Sequence, residues 1–142
     1  MSFRLKVEGG ESIALGENTI INAIYRTDTP DNSNARSTEV GAELKVLGKV
    51  VNTADGDQTG TIKLAQWSLV PASKADCYRQ VTLEVISAGQ IIRQIKLPNA
   101  FVVDYTEDYG AGQGIGTFTL VVRQKRDKIE SVTLEYGSSE AE

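Results

Sequence analysis

The chain contains no histidine. That absence removes Ser-His-Asp and Cys-His nucleophilic catalysis and every metal motif built on an imidazole. Acid–base work near neutral pH would fall to a carboxylate, lysine, tyrosine or cysteine with a shifted pKa. Cysteine is almost as scarce, with Cys77 the one thiol. A single cysteine excludes an internal disulfide framework and any multi-cysteine zinc or iron–sulfur centre. An intermolecular bond through Cys77 stays open, but a plain thiol is the expectation. No stretch approaches the roughly 20 consecutive apolar residues of a membrane-spanning helix. The start, Met1-Ser2-Phe3-Arg4-Leu5-Lys6-Val7, alternates apolar and polar side chains where a secretory signal would be continuously apolar. Basic charge is also lacking: 15 basic against 19 acidic residues leave a formal net charge of −4. Such a chain has no field for gathering nucleic-acid phosphates. The expectation is a soluble protein that assembles in the cytoplasm, without membrane insertion or nucleic acid. Export, if any, would use a dedicated machine that needs no cleaved signal.

What is present points to one domain. The chain has 142 residues, 40% apolar and 24% charged, enough for one hydrophobic core. Apolar and polar side chains alternate with period two along most of it, the mark of half-buried strands. Phe3, Leu5 and Val7 share a face, with Arg4 and Lys6 opposite, and Gly9-Gly10 ends the run. Thr19 to Arg26 reads as a second strand. Thr27 to Gly41 is a long polar connection rich in Asp, Asn, Ser and Thr, residues that favour turns over ladders. Irregular connections of this length are uncommon in compact domains and usually carry function or disorder. Ala42, Leu44, Val46, Gly48 and Val50 form the next alternation, and Asn52–Gly60 is a loop.

Thr61 to Val70 is the one helix candidate, with Ile62, Leu64, Ala65 and Leu69 on one side, a Thr59 or Thr61 cap, Pro71 as terminator and Trp67 as anchor to a sheet. From Tyr78 the pattern returns to strand through Val81, Leu83 and Val85. Ser87-Ala88-Gly89-Gln90 is a hairpin turn, and Ile91–Leu97 comes back. Pro98 marks a sheet edge or a break. Ala100–Tyr105, then Phe118, Leu120 and Val122, then Ile129–Tyr136 supply further strands, with a glycine-rich loop at Glu107–Gly116 and a turn at Lys125–Lys128. The expected fold is mainly β: a single antiparallel β-barrel or sandwich spanning 1–142 with one short helix and a frayed tail at 137–142.

Chemistry-bearing patterns are sparse. Gly110, Gly112, Gly114 and Gly116 invite a phosphate-loop reading, but no Lys-Ser or Lys-Thr follows, and a strand comes next instead of a helix. Asp104, Glu107 and Asp108 could pair for glycoside hydrolysis only at the right separation, and they lack an EF-hand pattern. A solvated or subunit-contacting loop is the plainer expectation. Arg79 beside Cys77 offers a positive charge to a thiol but no base. Trp67 and Tyr78 could form a stacking platform, though one tryptophan in an apolar segment is more often core. No cofactor, metal or catalytic residue is expected.

Five stretches look familiar together: Phe3-Arg4-Leu5-Lys6-Val7-Glu8-Gly9-Gly10, Leu64-Ala65-Gln66-Trp67-Ser68-Leu69-Val70-Pro71-Ala72, Ala75-Asp76-Cys77-Tyr78-Arg79, the run from Pro98 to Glu107, and the run from Gly116 to Lys125. They resemble a family of small bacterial proteins, mainly from Gram-positive anaerobes, often labelled "membrane-associated protease". The label fits badly with a chain lacking histidine, a nucleophile–base pair and a membrane segment. The order of elements is similar to that of tube proteins of contractile injection systems, the type VI tube protein Hcp and phage tail-tube proteins.

That resemblance implies an Hcp-like or tail-tube-like β fold, a homohexameric ring, stacked rings and a structural, non-enzymatic role. Its partners would be further copies of the chain, with sheath, baseplate or effector proteins beside them. The long early loop of such proteins reaches onto neighbouring subunits, and Thr27–Gly41 is placed to do so. The expected inter-subunit contacts are Asp28, Pro30, Asn32, Asn34 and Arg36 in that loop and Glu107, Asp108 and Tyr109 in the glycine-rich one. Two other readings stand beside this one. A monomeric module for a small ligand or carbohydrate would use Trp67, Tyr78, Tyr105 and Tyr109; a hydrolase would need convergent carboxylates from Asp104, Glu107 and Asp108.

Overall fold

Alternation decides most of the strands, because each buries one face. The computed structural model describes residues 1–29, 40–50, 59–112 and 114–136. Among them the order is β1 (Ser2–Glu8), β2 (Ser12–Leu15), β3 (Ile20–Asp28), β4 (Gly41–Val50), α1 (Thr59–Ser68), β5 (Arg79–Ser87), β6 (Gln90–Asp108), β7 (Gly116–Gln124) and β8 (Thr133–Glu135). Short 3-10 segments at Ala75–Cys77 and Arg126–Ser131 join them. Every strand pairing is antiparallel, and the sheet runs β2-β1-β5-β6-β7-β4-β3, with β8 added to β6.

This order forces the sheet to roll. Strands β2 and β3 lie at its two ends, yet only residues 16–19 separate them. Four linking residues span at most about 17 Å, so the two ends are held close. They are not hydrogen-bonded to each other, and the sheet is rolled but not closed into a barrel. The expectation of a barrel or sandwich is corrected to that extent.

The bend is made by β6, which has 19 residues. Its first half pairs with β5 and its second half with β7. Three register shifts fall along it, each leaving an extra β6 residue opposite its partner strand. Bulges increase local twist and re-aim a strand, which lets one strand serve two half-sheets. Pro98 sits in one of them: Leu97 pairs with Val81 and Ala100 with Arg79, so Pro98 and Asn99 together face Gln80. The proline therefore neither ends the strand nor marks an edge; its missing N–H falls where the ladder is already interrupted. The return into β6 is the expected hairpin, with positive φ at Ala88 and Gly89.

One core fills the roll. It joins Leu5 and Val7 of β1, Leu44 and Val46 of β4, Val81 and Leu83 of β5, Leu97 of β6, and Phe118, Leu120 and Val122 of β7. Strand β2, absent from the sequence expectation, adds Ile13 and Leu15. The helix begins at Thr59 and ends at Ser68, two residues earlier at each end than expected. Its buried side is Thr61, Leu64 and Trp67, whereas Ile62 and Leu69 are 53% and 81% exposed. The indole is the largest group available, and seating it in the core sets the phase of the whole helix.

A polar lock holds the neck before β5. Arg79 Nη2 donates to Asp76 Oδ2 at 2.7 Å, and the Gly10 N–H donates to Asp76 Oδ1 at 3.2 Å, tying the β1–β2 hairpin down. The hydrogen bond from Arg79, helped by the one from Gly10, holds the Asp76 carboxyl below its ordinary value of 3.8. A carboxylate with a lowered folded pKa adds stability that is fully present above its unfolded value and is lost as pH falls through the folded one. Asp76→Asn removes that contribution, so its urea midpoint is expected to fall less steeply than the wild type's below about pH 4. Parallel acid limbs in the two chains would show that the lock contributes nothing.

Several boundaries also move. Thr27 and Asp28 belong to β3 and Gly41 to β4, so the polar connection is shorter than the stretch between Thr27 and Gly41; Pro30, Asn32, Asn34 and Arg36 lie outside the described residues. Thr59 and Gly60 open α1 instead of ending the preceding loop, and Glu107 and Asp108 end β6 instead of opening the glycine-rich one. The strand expected at Ile129–Tyr136 is a 3-10 segment followed by three residues of β8. Gln124 explains the change: buried, it accepts from the Asn99 N–H at 2.9 Å and donates to the Lys128 carbonyl at 2.8 Å. Those bonds hold the chain in a turn at Lys128, where an extended strand would leave the glutamine unsatisfied.

Candidate assembly surface

Among the described residues strand β3 pairs only with β4, and its other edge, which lies toward β1, carries no ladder among them. Its outward side chains include Ile24, 48% exposed, and the bulge beside it exposes Ile21 at 45%. A long edge with exposed apolar side chains is a template for pairing with another chain, and isolated soluble proteins usually blunt such edges. The other terminal strand, β2, is only four residues long, and α1 lies against it: Lys63 Nζ donates to the Ser12 carbonyl at 3.3 Å. Among the described residues α1 covers the β2 end of the sheet, whereas the β3 end has no hydrogen-bonded partner beyond β4.

At the end of β3 the expected contact Asp28 does not stand free. Arg123 of β7 donates to it through Nη2 at 2.7 Å and to Glu43 of β4 through Nη1 at 3.3 Å. Arg26 Nε donates to the second oxygen of Glu43 at 2.6 Å. Asp28 is thus part of a four-residue charged row on the outer face of the sheet.

The second expected cluster is also ordered by its neighbours. Tyr105 donates to Glu107 Oε2 at 2.6 Å and Tyr109 to Oε1 at 2.8 Å. The Tyr105 ring stacks on Phe118 at 6.2 Å, and the Tyr109 ring lies over Gly116, where a Cβ would collide with it. Burial, then the bond to Glu107, pushes the Tyr105 hydroxyl well above its ordinary value; for Tyr109 the Glu107 bond is the main cause. Both hydroxyls stay protonated donors, and they engage both Glu107 oxygens.

The two clusters are not brought together. Asp28 pairs with Gly41 at one end of β4, while Val50 at the other end pairs with Gly116, beneath Tyr109. Nine steps of strand separate them by about 30 Å. Of the expected contacts that the structure describes, Asp28 therefore lies at one end of this half-sheet and Glu107, Asp108 and Tyr109 at the other.

The same pleat removes the carboxylate pairing. Asp104 and Asp108 lie opposite Val121 and Thr117 and face outward, whereas Glu107 lies opposite the buried Phe118 and faces the other way. Asp104 and Asp108, four residues apart, are separated by about 13 Å of strand, beyond the roughly 5–9.5 Å used by glycosidases. Among the described residues no group of three metal-ligating side chains converges either. The stacking platform also fails. Trp67 is 2% exposed, its Nε1 donating to the Cys77 carbonyl at 2.9 Å beneath the Arg79 guanidinium, while Tyr78 packs edge-on against Phe101. Burial and the neighbouring Asp76 charge push the Cys77 thiol up, away from the reactive thiolate.

No family model matches the chain, and no curated protein sequence does. Solved structures are similar over nearly its whole length. Hcp1 from Flavobacterium johnsoniae aligns with a TM-score of 0.56 at 14% identity, covering 100% of this chain and 99% of that one. A type six secretion system protein aligns with a TM-score of 0.57 at 12% identity, covering 99% and 93%. A chain of the PVC sheath–tube complex of an extracellular contractile injection system in its extended state aligns with a TM-score of 0.51 at 11% identity, covering 95% and 88%. The fold is Hcp-like.

The resemblance to tube proteins is therefore real at the level of the fold, and the protease label finds no support among these structures. No helix among the described residues is long and apolar enough to cross a membrane. Sequence reasoning singled out Asp28, Glu107, Asp108 and Tyr109 as contacts, and Tyr105 for a ligand module, but not Arg123, Glu43 and Arg26, the row that Asp28 joins. Strand register brings those partners in, and no local pattern in the sequence announces it.

Proposed function

We propose that the chain is a structural, ring-forming subunit of the tube of a phage-tail-like or type VI-like contractile injection system, six copies closing a ring and rings stacking. The observation that carries the reading is the nine-residue strand β3, which among the described residues has a ladder on one edge alone and runs straight into the connection between Asp28 and Gly41. An edge of this kind on an Hcp-like fold finds its missing ladder, or its cover, on a neighbouring copy. Contact sets at opposite ends of one half-sheet suit a head-to-tail arrangement, which closes into a ring when its rotation closes. Asp28, Pro30, Asn32, Asn34 and Arg36 would serve one side of such contacts, and Glu107, Asp108 and Tyr109 the other.

The role is structural, not enzymatic. Sheath, baseplate or effector proteins are the further partners; the similar PVC chain comes from a sheath–tube complex. Sedimentation of the purified chain over a wide concentration range tests the reading. A discrete species of several subunits is expected; a strict monomer at the highest concentration would count against it.

A further inference from the structure

We infer that Arg123 is a positioning residue for assembly: its guanidinium ties Asp28 to Glu43 and so sets the direction in which the chain leaves β3 and re-enters β4. The inference rests on the ring reading, because that direction matters most if the connection reaches a neighbouring copy. Asp28 and Gly41 form the last rung of the β3–β4 ladder. Arg123 lies across this rung from β7, reaching Asp28 at 2.7 Å with one terminal nitrogen and Glu43 at 3.3 Å with the other.

Gly41 shows that the arrangement is built into the strand. A Cβ at this position would meet the Arg123 Nη2 and, at 2.6 Å, the Asp28 Oδ1. A side chain here would push the ends of Arg123 and Asp28 aside, whereas glycine leaves the ion pair room to lie flat over the strand where the connection joins it. The row stands on the outer face, away from Leu44, Val46 and Val122, and the Arg123 and Asp28 side chains are 23% and 41% exposed. Glu43 is 14% exposed, so the half-exposed Asp28 arm is the one that contributes little to global folding. The geometry of the row is what the chain gains, and it is a geometry specific to arginine: a planar fork reaches two carboxylates at once, whereas a lysine ammonium is a point charge.

The test compares the wild type with Arg123→Gln, Arg123→Lys and Gly41→Ala, reading backbone hydrogen exchange and the fraction of chain sedimenting as rings. In Arg123→Gln and Gly41→Ala, exchange at residues 26–28 and 41–43 is expected to rise about tenfold by local opening. Exchange in β1 and β5 should stay unchanged, and the ring fraction should fall. Arg123→Lys is expected to fall between, since it keeps the charge but not the fork. Wild-type exchange and wild-type rings in Arg123→Gln would overturn the inference. A wild-type chain that forms no rings would instead overturn the ring reading, and the exchange data alone would then decide whether Arg123 holds the strand ends. Should Arg123→Gln fail to fold, Gly41→Ala decides, since it removes no charge.

Discussion

Replacing Trp67 with alanine is expected to lower the unfolding free energy by about 3–5 kcal/mol, the usual cost of deleting a buried indole. Its size and two contacts concentrate the effect at this residue. The ring is the largest fully buried side chain, its N–H donates to the Cys77 carbonyl at 2.9 Å, and the Arg79 guanidinium lies 5.4 Å from its centroid. Truncation leaves a cavity between α1 and the sheet, an unpaired buried carbonyl and an arginine without its aromatic partner. Since small domains are stable by only about 5–15 kcal/mol, the variant should unfold at a much lower urea concentration with an unchanged slope. A loss below about 1 kcal/mol would mean that the indole does not anchor the helix.

Phe118→Ala is expected to cost a similar amount, about 3–5 kcal/mol, and to reach further. Phe118 is 1% exposed near the start of β7, and its ring edge occupies the space that Gly48 of β4 leaves empty. It also supports Tyr105 by stacking at 6.2 Å, and Tyr105 in turn fixes Glu107. Loss of the ring should loosen the Tyr105–Glu107–Tyr109 group as well as the core. In urea the variant should unfold early; under native conditions its ring fraction should fall while far-ultraviolet dichroism still reports a folded sheet. Normal stability in this variant would place the Phe118 ring outside the core.

The strands that bury one face were legible in the sequence. Strands β1, β4 and β7 follow their alternation, with Leu5 and Val7, Leu44 and Val46, and Phe118, Leu120 and Val122 all buried. Strand β2 was hidden because four residues between glycine-rich turns give too short a pattern to register. The helix was found but its face was misplaced: several helical phases satisfy Ile62, Leu64 and Leu69, and the choice falls to Trp67, whose burial is a tertiary fact. Strand β6 read as two strands because Pro98 is a local stop signal, and only pairing on both sides shows that a bulge absorbs it. The candidate site divides in the same way. Polar loops mark themselves by composition, which pointed to Asp28, Glu107, Asp108 and Tyr109. Their partners do not, because Arg123 is 95 residues from Asp28 and meets it only through the register of β3, β4 and β7. The tube-like order of elements was visible early because it depends on the sequence of strands and loops and not on any single motif.

The central claim is that an Hcp-like fold, whose strand β3 has a ladder on one edge alone among the described residues, completes itself with further copies of the same chain. Electron microscopy of the purified protein at high concentration tests it most directly. The account predicts closed rings with a central opening and rotational symmetry, alone or stacked into short tubes. A uniform field of single-subunit particles, at concentrations where sedimentation also finds only monomer, would contradict it.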